Sequence, residues 1–179
     1  MAFFTRILPM VLALMLCAGF AHAAEPQRIA VIDIEALISE SDAGKSMQAQ
    51  LGKKREEFQK EFAKRETELG EKEKNLVAKK GEMTPEQLTK ERQAFEADLL
   101  ETRKLFQKRR SALDKGLAAA MQELRKQIVE STAEVAEEKG YQAVLLRESV
   151  VIVEKELDIT KDVLAKLNTK IKTIPVTVN

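Results

Sequence analysis

The sequence predicts an α+β chain that is mostly helical, with a small β core and one long antiparallel, coiled-coil-like helical hairpin projecting from it as an arm. Three observations predict this. Two β-rich segments, Gln27–Ile34 and Gln142–Val153, stand about a hundred residues apart. Between them apolar residues recur at helical spacing along almost the whole distance. Near the middle, the stretch KKGEMTPEQLTKER at 79–92 interrupts that run with turn and capping chemistry.

Residues 1–23 read as a cleaved signal peptide. Arg6 supplies the positive charge, Ile7–Phe20 the short apolar run, and Ala21-His22-Ala23 a small-x-small site. A membrane anchor fits less well, because the apolar run is shorter than the roughly 20 residues a spanning helix needs. Lipidation at Cys17 is disfavoured by Leu16, which stands where the lipoprotein peptidase needs a small residue. The expected product is an exported chain that starts near Ala24.

That mature chain has no Cys, His or Trp, since Cys17 and His22 leave with the signal. An exported domain without a disulfide must be held by its core or by assembly. Losing every His and Cys also removes the usual zinc ligands, the commonest general base and the thiol nucleophile. No cofactor is expected.

Gln27–Ile34 (QRIAVIDI) is rich in β-branched residues and apolar at nearly every position, which predicts a strand buried on both faces. From Asp42 the pattern changes. Met47, Leu51, Phe58, Phe62, Leu69 and Leu76 form one apolar stripe on a helix expected to reach Lys80, roughly 60 Å long at 1.5 Å per residue. Arg55, Arg65 and Lys72 fall near seam positions, so the seam is thin and should hold its partner loosely.

In the break, Gly81 is expected to take positive φ and end the first helix. Thr84-Pro85-Glu86-Gln87 carries a cap hydroxyl, a proline at the first helical position and a Gln three residues after the cap, the makings of a capping box. The stripe then resumes through Leu88, Phe95, Leu99, Phe106, Leu113, Leu117, Met121, Leu124, Ile128 and Val135. Stripes on both sides of a tight turn predict helices that fold back with those stripes facing. Gly140 stands where a left-handed C-cap belongs.

Gln142–Leu146 and Val150–Val153 read as a β-hairpin turning through Arg147-Glu148-Ser149, to be joined in one sheet by the first strand. A last helix is expected to start with Thr160 as N-cap and to bury Val163, Leu164, Leu167 and Ile171 before Pro175. Residues 24–41 and 140–179 therefore make an association core, 42–139 an arm, and 81–86 its tip. Three short strands are marginal alone, so oligomerisation is expected.

This order of elements, with RIAVIDIEALISES at its start and YQAVLLRESVVIVEKELDITKDVLAKL near its end, resembles the Skp (OmpH) family of periplasmic chaperones over the whole mature chain. Asp158-Ile159-Thr160-Lys161-Asp162-Val163-Leu164 is the most specific match. Ile174–Asn179 runs past it. The resemblance implies a periplasmic homotrimer whose strands share a β barrel, with Ile29, Val31, Ile32, Val144, Leu145, Val151 and Val153 as its expected core. It implies that three arms enclose a cavity, which takes unfolded outer-membrane proteins without ATP and delivers them for assembly.

A holdase needs weak apolar patches rather than a catalytic group. Phe58, Phe62, Phe95 and Phe106 are candidates for client contact, although their helical spacing equally suits seam packing. Met83, at the tip with little to pack on, is the fifth candidate. Residues 53–110 carry 17 Lys plus Arg against 13 Asp plus Glu. Lys79, Lys80, Lys90 and Arg92 near the tip are therefore candidates for contact with acidic clients, anionic lipid or lipopolysaccharide.

Three other function classes fit the sequence less well. A periplasmic scaffold or adaptor binding a folded envelope partner can also project a helical hairpin, but such adaptors flank it with paired β domains that these short flanks do not supply. Enzymatic activity would rest on Ser with Lys or on pairs such as Glu137 and Glu138, which read as helix-surface groups. Nucleic-acid binding is not expected from near-zero net charge, export and a single non-phenylalanine aromatic, Tyr141.

Overall fold

The computed structural model describes residues 28–178, so the signal-peptide expectation lies outside the described residues. Strand β1 (Ile29–Ile32) pairs in parallel with β2 (Ala143–Leu146), Ile29 opposite Ala143 and Ile32 opposite Leu146. Parallel neighbours need a long crossover. Here the crossover is the arm itself. Arg28 closes its foot, donating from Nη1 to the Lys139 carbonyl at 2.9 Å and stacking over Tyr141 at 5.0 Å.

The first strand is shorter than the sequence suggested. Asp33 ends it by capping a helix, its Oδ1 accepting from the Ala36 N–H at 2.9 Å, and α1 (Ile34–Glu40) follows. Ser41 serves both as the C-cap of α1 and as the N-cap of α2 (Asp42–Ala78), where its hydroxyl accepts from Gly44 N–H at 3.1 Å. The two helices turn so tightly that a Cβ on Gly44 would lie 1.7 Å from the Ile38 carbonyl oxygen. No other residue fits there.

At the arm's tip, α2 stops without a left-handed residue. Its C-cap is Lys79 at φ −90°, and Gly81 does not take the positive φ expected of it. A plain turn, Glu82 N–H to Lys79 carbonyl at 3.0 Å, suffices. Helix α3 (Pro85–Lys139) starts with the expected reciprocal box: Gln87 N–H donates to Thr84 Oγ1 at 3.3 Å, and Thr84 N–H to Gln87 Oε1 at 2.9 Å. It ends at Gly140, φ 68°, with Tyr141 N–H reaching back to the Ala136 carbonyl at 2.8 Å.

The expected hairpin does not form. After β2 the chain makes a 3-10 turn at Arg147–Ser149, where Arg147 Nη1 donates to the Val150 carbonyl, and a second at Lys155–Leu157. Val150–Val153 is no strand. The physical reason is the parallel pairing: β2 bonds to β1, and the turn carries the following residues away from that ladder. Val151 and Ile152 are left 93% and 87% exposed. The chain rejoins β1 at one point, where Ile159 N–H donates to the Val31 carbonyl at 3.0 Å.

Helix α4 (Thr160–Lys170) is not capped by Thr160 as expected. Ile159 occupies that place without a side-chain bond. Thr160 Oγ1 instead accepts from Asp33 N–H at 2.9 Å, while Asp158 Oδ1 accepts from Thr160 N–H at 3.0 Å. The apolar face of α4 is as read: Val163 and Leu167 are fully buried against Leu37, Leu124 and Ile128. Ile174 and Val176, beyond α4, complete the same core at 2% and 7% exposure. Among the described residues no helix is long and apolar enough to cross a membrane.

Candidate client-binding arm and association surface

Helices α2 and α3 pack antiparallel through a seam that alternates aromatic and ionic contacts. Nearest the core, Arg109 Nε lies 3.2 Å from Glu61 Oε2, and its guanidinium sits 5.2 Å over the Phe58 ring. Next, Phe62 meets Phe106 at 4.7 Å between ring centroids. Further out Lys72 pairs with Asp98. The hydrogen bond from Lys72 to that carboxylate, then its charge, raises the ammonium pKa above the ordinary 10.5. At Lys72 the thin seam is therefore an ionic one, whereas Arg65 pairs with Glu68 of its own helix at 3.9 Å. Beyond its first turns α2 buries nothing completely, and only Met47, Ala43 and Gly44 are lost to solvent along its 37 residues.

Three of the sequence-predicted phenylalanines thus meet seam partners: Phe58 lies under Arg109, and Phe62 and Phe106 lie on each other. Phe106 nonetheless remains 46% exposed. Phe95 and Met83 belong to a different place. With Leu76 and Ala94 they floor a cleft of about 340 Å³ at the tip, rimmed by the Lys72–Asp98 pair and by Lys79. Both are half-buried. Lys79, Lys80, Lys90 and Arg92 are exposed around this end, and none makes an ion pair among the described residues.

The expected association residues divide. Val31 and Ile32 are buried inside the chain's own core, and Val144 and Val153 are half-buried. Ile29, Leu145 and Val151 stand at 38%, 44% and 93% exposure, together with Leu146 and Ile152. Beside them runs a groove of about 810 Å³ between α1, α3 and the end of β2, floored by Ile34, Ile38, Met121 and Leu146 and bordered by Arg125 and Glu148. The strand composition of Gln27–Ile34 hides this groove in the sequence, because Ile34 in fact opens α1. The spacing of four between Ile34 and Ile38 was the available sign of a helical face.

The OmpH-like outer membrane protein family matches residues 28–167, most of the chain. This chain belongs to that family. Among the solved structures it resembles is that of a candidate outer membrane chaperone (OmpH-like) from Caulobacter crescentus, with a TM-score of 0.80 and 21% identity, covering 88% of this chain and 93% of that one. No curated protein matches the chain. The family match ends at Leu167, before the OmpH-like chain places Ile174 and Val176 in its core.

Proposed function

We propose that this OmpH-like chain is an ATP-independent periplasmic holdase chaperone. In this reading its arms take up unfolded outer-membrane proteins, keep them from aggregating and deliver them for assembly. The observation that carries it is the arm: a helical hairpin of two extended helices, anchored only at its foot, that leaves Phe106, Met83 and Phe95 accessible along its length. Family membership and the description of the Caulobacter neighbour support a chaperone role.

The protein works as a homotrimer. Ile29, Leu145, Val151 and Ile152 give each chain an apolar edge, and a two-stranded sheet is marginal by itself. Association through that edge sets three arms around one cavity. Clients bind weakly to Phe106, Met83 and Phe95 and to whatever of Phe58 and Phe62 the seam uncovers. Lys79, Lys80, Lys90 and Arg92 attract acidic clients, anionic lipid or lipopolysaccharide to the tips over about a Debye length of 8–10 Å.

The test is aggregation of a urea-unfolded β-barrel membrane protein on dilution, with and without excess chaperone, alongside native mass measurement. Suppressed light scattering and a trimer mass are expected. Equal aggregation in both samples rejects the holdase reading, and a stable monomer rejects the shared core. Capture of a single folded envelope protein instead would point to an adaptor.

A further inference from the structure

We propose that the C-terminal tail, residues 174–178, is a strap that locks the root of the arm at a paired-glycine hinge and so limits how far the arm swings about the core. The tail leaves α4 as an extended segment, with Ile174 and Val176 buried and Pro175 and Thr177 exposed. It lies across both arm helices.

On α2 it is held by one side chain. Gln50 Nε2 donates to the Ile174 carbonyl at 2.9 Å, and its Oε1 accepts from Val176 N–H at 3.1 Å. The amide thus replaces the neighbouring strand that the tail lacks, bonding one acceptor and one donor of the main chain. Pro175, between those two bonds, has a fixed φ and loses little freedom on docking. On α3 the tail passes over Gly116. A Cβ there would lie 2.3 Å from the Thr177 carbonyl oxygen and 3.2 Å from its carbon. Only glycine admits the tail at this depth.

Gly116 has a counterpart. The antiparallel seam sets Glu61 against Arg109, Phe62 against Phe106 and Lys72 against Asp98. Carried back toward the core, that register brings Gly52 level with Gly116. Glycine weakens a helix interior by roughly 1 kcal/mol relative to alanine, and this is the level at which both helices of the arm carry one, since Gly70 of α2 has no glycine level with it on α3. A Cβ on Gly52 would meet nothing within 4 Å, so packing does not require a glycine there. On the core side of this level α3 buries Ala120, Leu124 and Ile128; on the tip side only Thr102. The strap therefore crosses the arm where packed root gives way to free lever. Docked, it ties the two helices to the core at the level where both carry a glycine.

The experiment places nitroxide labels at Gln93→Cys on the arm and Lys161→Cys on α4, in mature chains diluted into unlabelled ones so that only distances within a chain are read. Deleting 174–179 frees the hinge, and the distance distribution is expected to broaden about twofold. Amides at 50–56 and 112–118 should exchange on the order of tenfold faster, while those at Leu124–Ile128 stay protected. Gln50→Ala, which removes both hydrogen bonds but keeps Ile174 and Val176, is expected to move both readouts the same way by less. Gly52→Ala stiffens the hinge without touching the strap and should narrow the distribution.

Unchanged width after tail deletion, with Leu124–Ile128 still protected, overturns the proposal. If deletion melts the core instead, Gln50→Ala decides: no broadening and no faster exchange at 50–56 overturns it. Any bearing of the strap on client capture rests on the holdase reading, but the label distances do not. A hinge that loosens as expected in a protein that fails to suppress aggregation rejects the holdase reading and leaves the strap standing.

Discussion

Phe62 and Phe106 face each other across the arm seam, ring centroids 4.7 Å apart and planes tilted by 40°. A tilted pair at this distance contributes about 0.5–1.5 kcal/mol beyond its buried area. In a double-mutant cycle with Phe62→Ala and Phe106→Ala, read by urea unfolding, the coupling energy should fall in that range. Phe106, the more exposed of the two, should also be the one whose replacement by Ser weakens client capture more, with the oligomer mass unchanged.

The tip depends on its capping box. Thr84→Ala removes the acceptor for Gln87 N–H, a loss of about 1 kcal/mol. Because the tip contributes little to the core, the expected outcome is local: amides at 86–88 exchange several-fold faster while the global melting temperature barely moves.

Helix α4 is pinned to the end of α3 by exposed ion pairs, Lys170–Glu134 and Lys166–Glu138 at 2.6 Å and Lys139–Asp162 at 2.5 Å. The hydrogen bond from Lys170 holds the Glu134 carboxyl below its ordinary 4.5, against the opposing effect of burial. Its contribution is present above pH 4.5 and lost as pH falls through the lowered value. For Lys166 the bond to Glu138 raises the pKa above 10.5, so its contribution is complete below that pH and lost as pH rises through the raised value. Thermal melts should therefore be flat across neutral pH and decline at both extremes. The declines should shrink in molar salt, as expected of exposed pairs.

Ser131 is fully buried in α3, and its hydroxyl has no hydrogen-bond partner among the described residues. Ser131→Ala removes an unsatisfied polar group and improves helix propensity, so it should stabilise the core by about 1 kcal/mol, seen as a raised melting temperature.

Most of the arm was legible in the sequence because its rules are local. Stripe spacing, the Thr84–Gln87 box and the Gly140 cap each follow from residues within a turn or two of one another. The core was less legible because its pairing is long-range. Val150–Val153 has strand composition, but β2 spends its hydrogen bonds on β1, and nothing within four residues of Val151 announces that. Strand composition runs straight through Asp33, although that residue caps α1. The role of Thr160 is likewise long-range, since its hydroxyl serves Asp33, a residue 127 positions away. At the tip, Gly81 suited a left-handed turn, but the loop closes without one. For the candidate site, periodicity located the phenylalanines and could not say which of them the seam would cover. That depended on Arg109 lying over Phe58 and on the register that sets Phe62 against Phe106.

Because β1 and β2 are adjacent and parallel, the chain leaves the sheet at Ile32 and returns at Ala143, opposite Ile29, so everything from α2 to α3 belongs to one crossover whose two ends the sheet holds within a strand's length of each other. The sheet register therefore fixes the foot of the arm and is indifferent to its length. Removing or adding matched turns to α2 and α3 between the Arg109–Glu61 pair and the tip would change the reach of the arm without disturbing a single core contact. In such a frame, the length of the arm becomes a variable that can drift by whole helical turns, independently of the part of the protein that must stay folded.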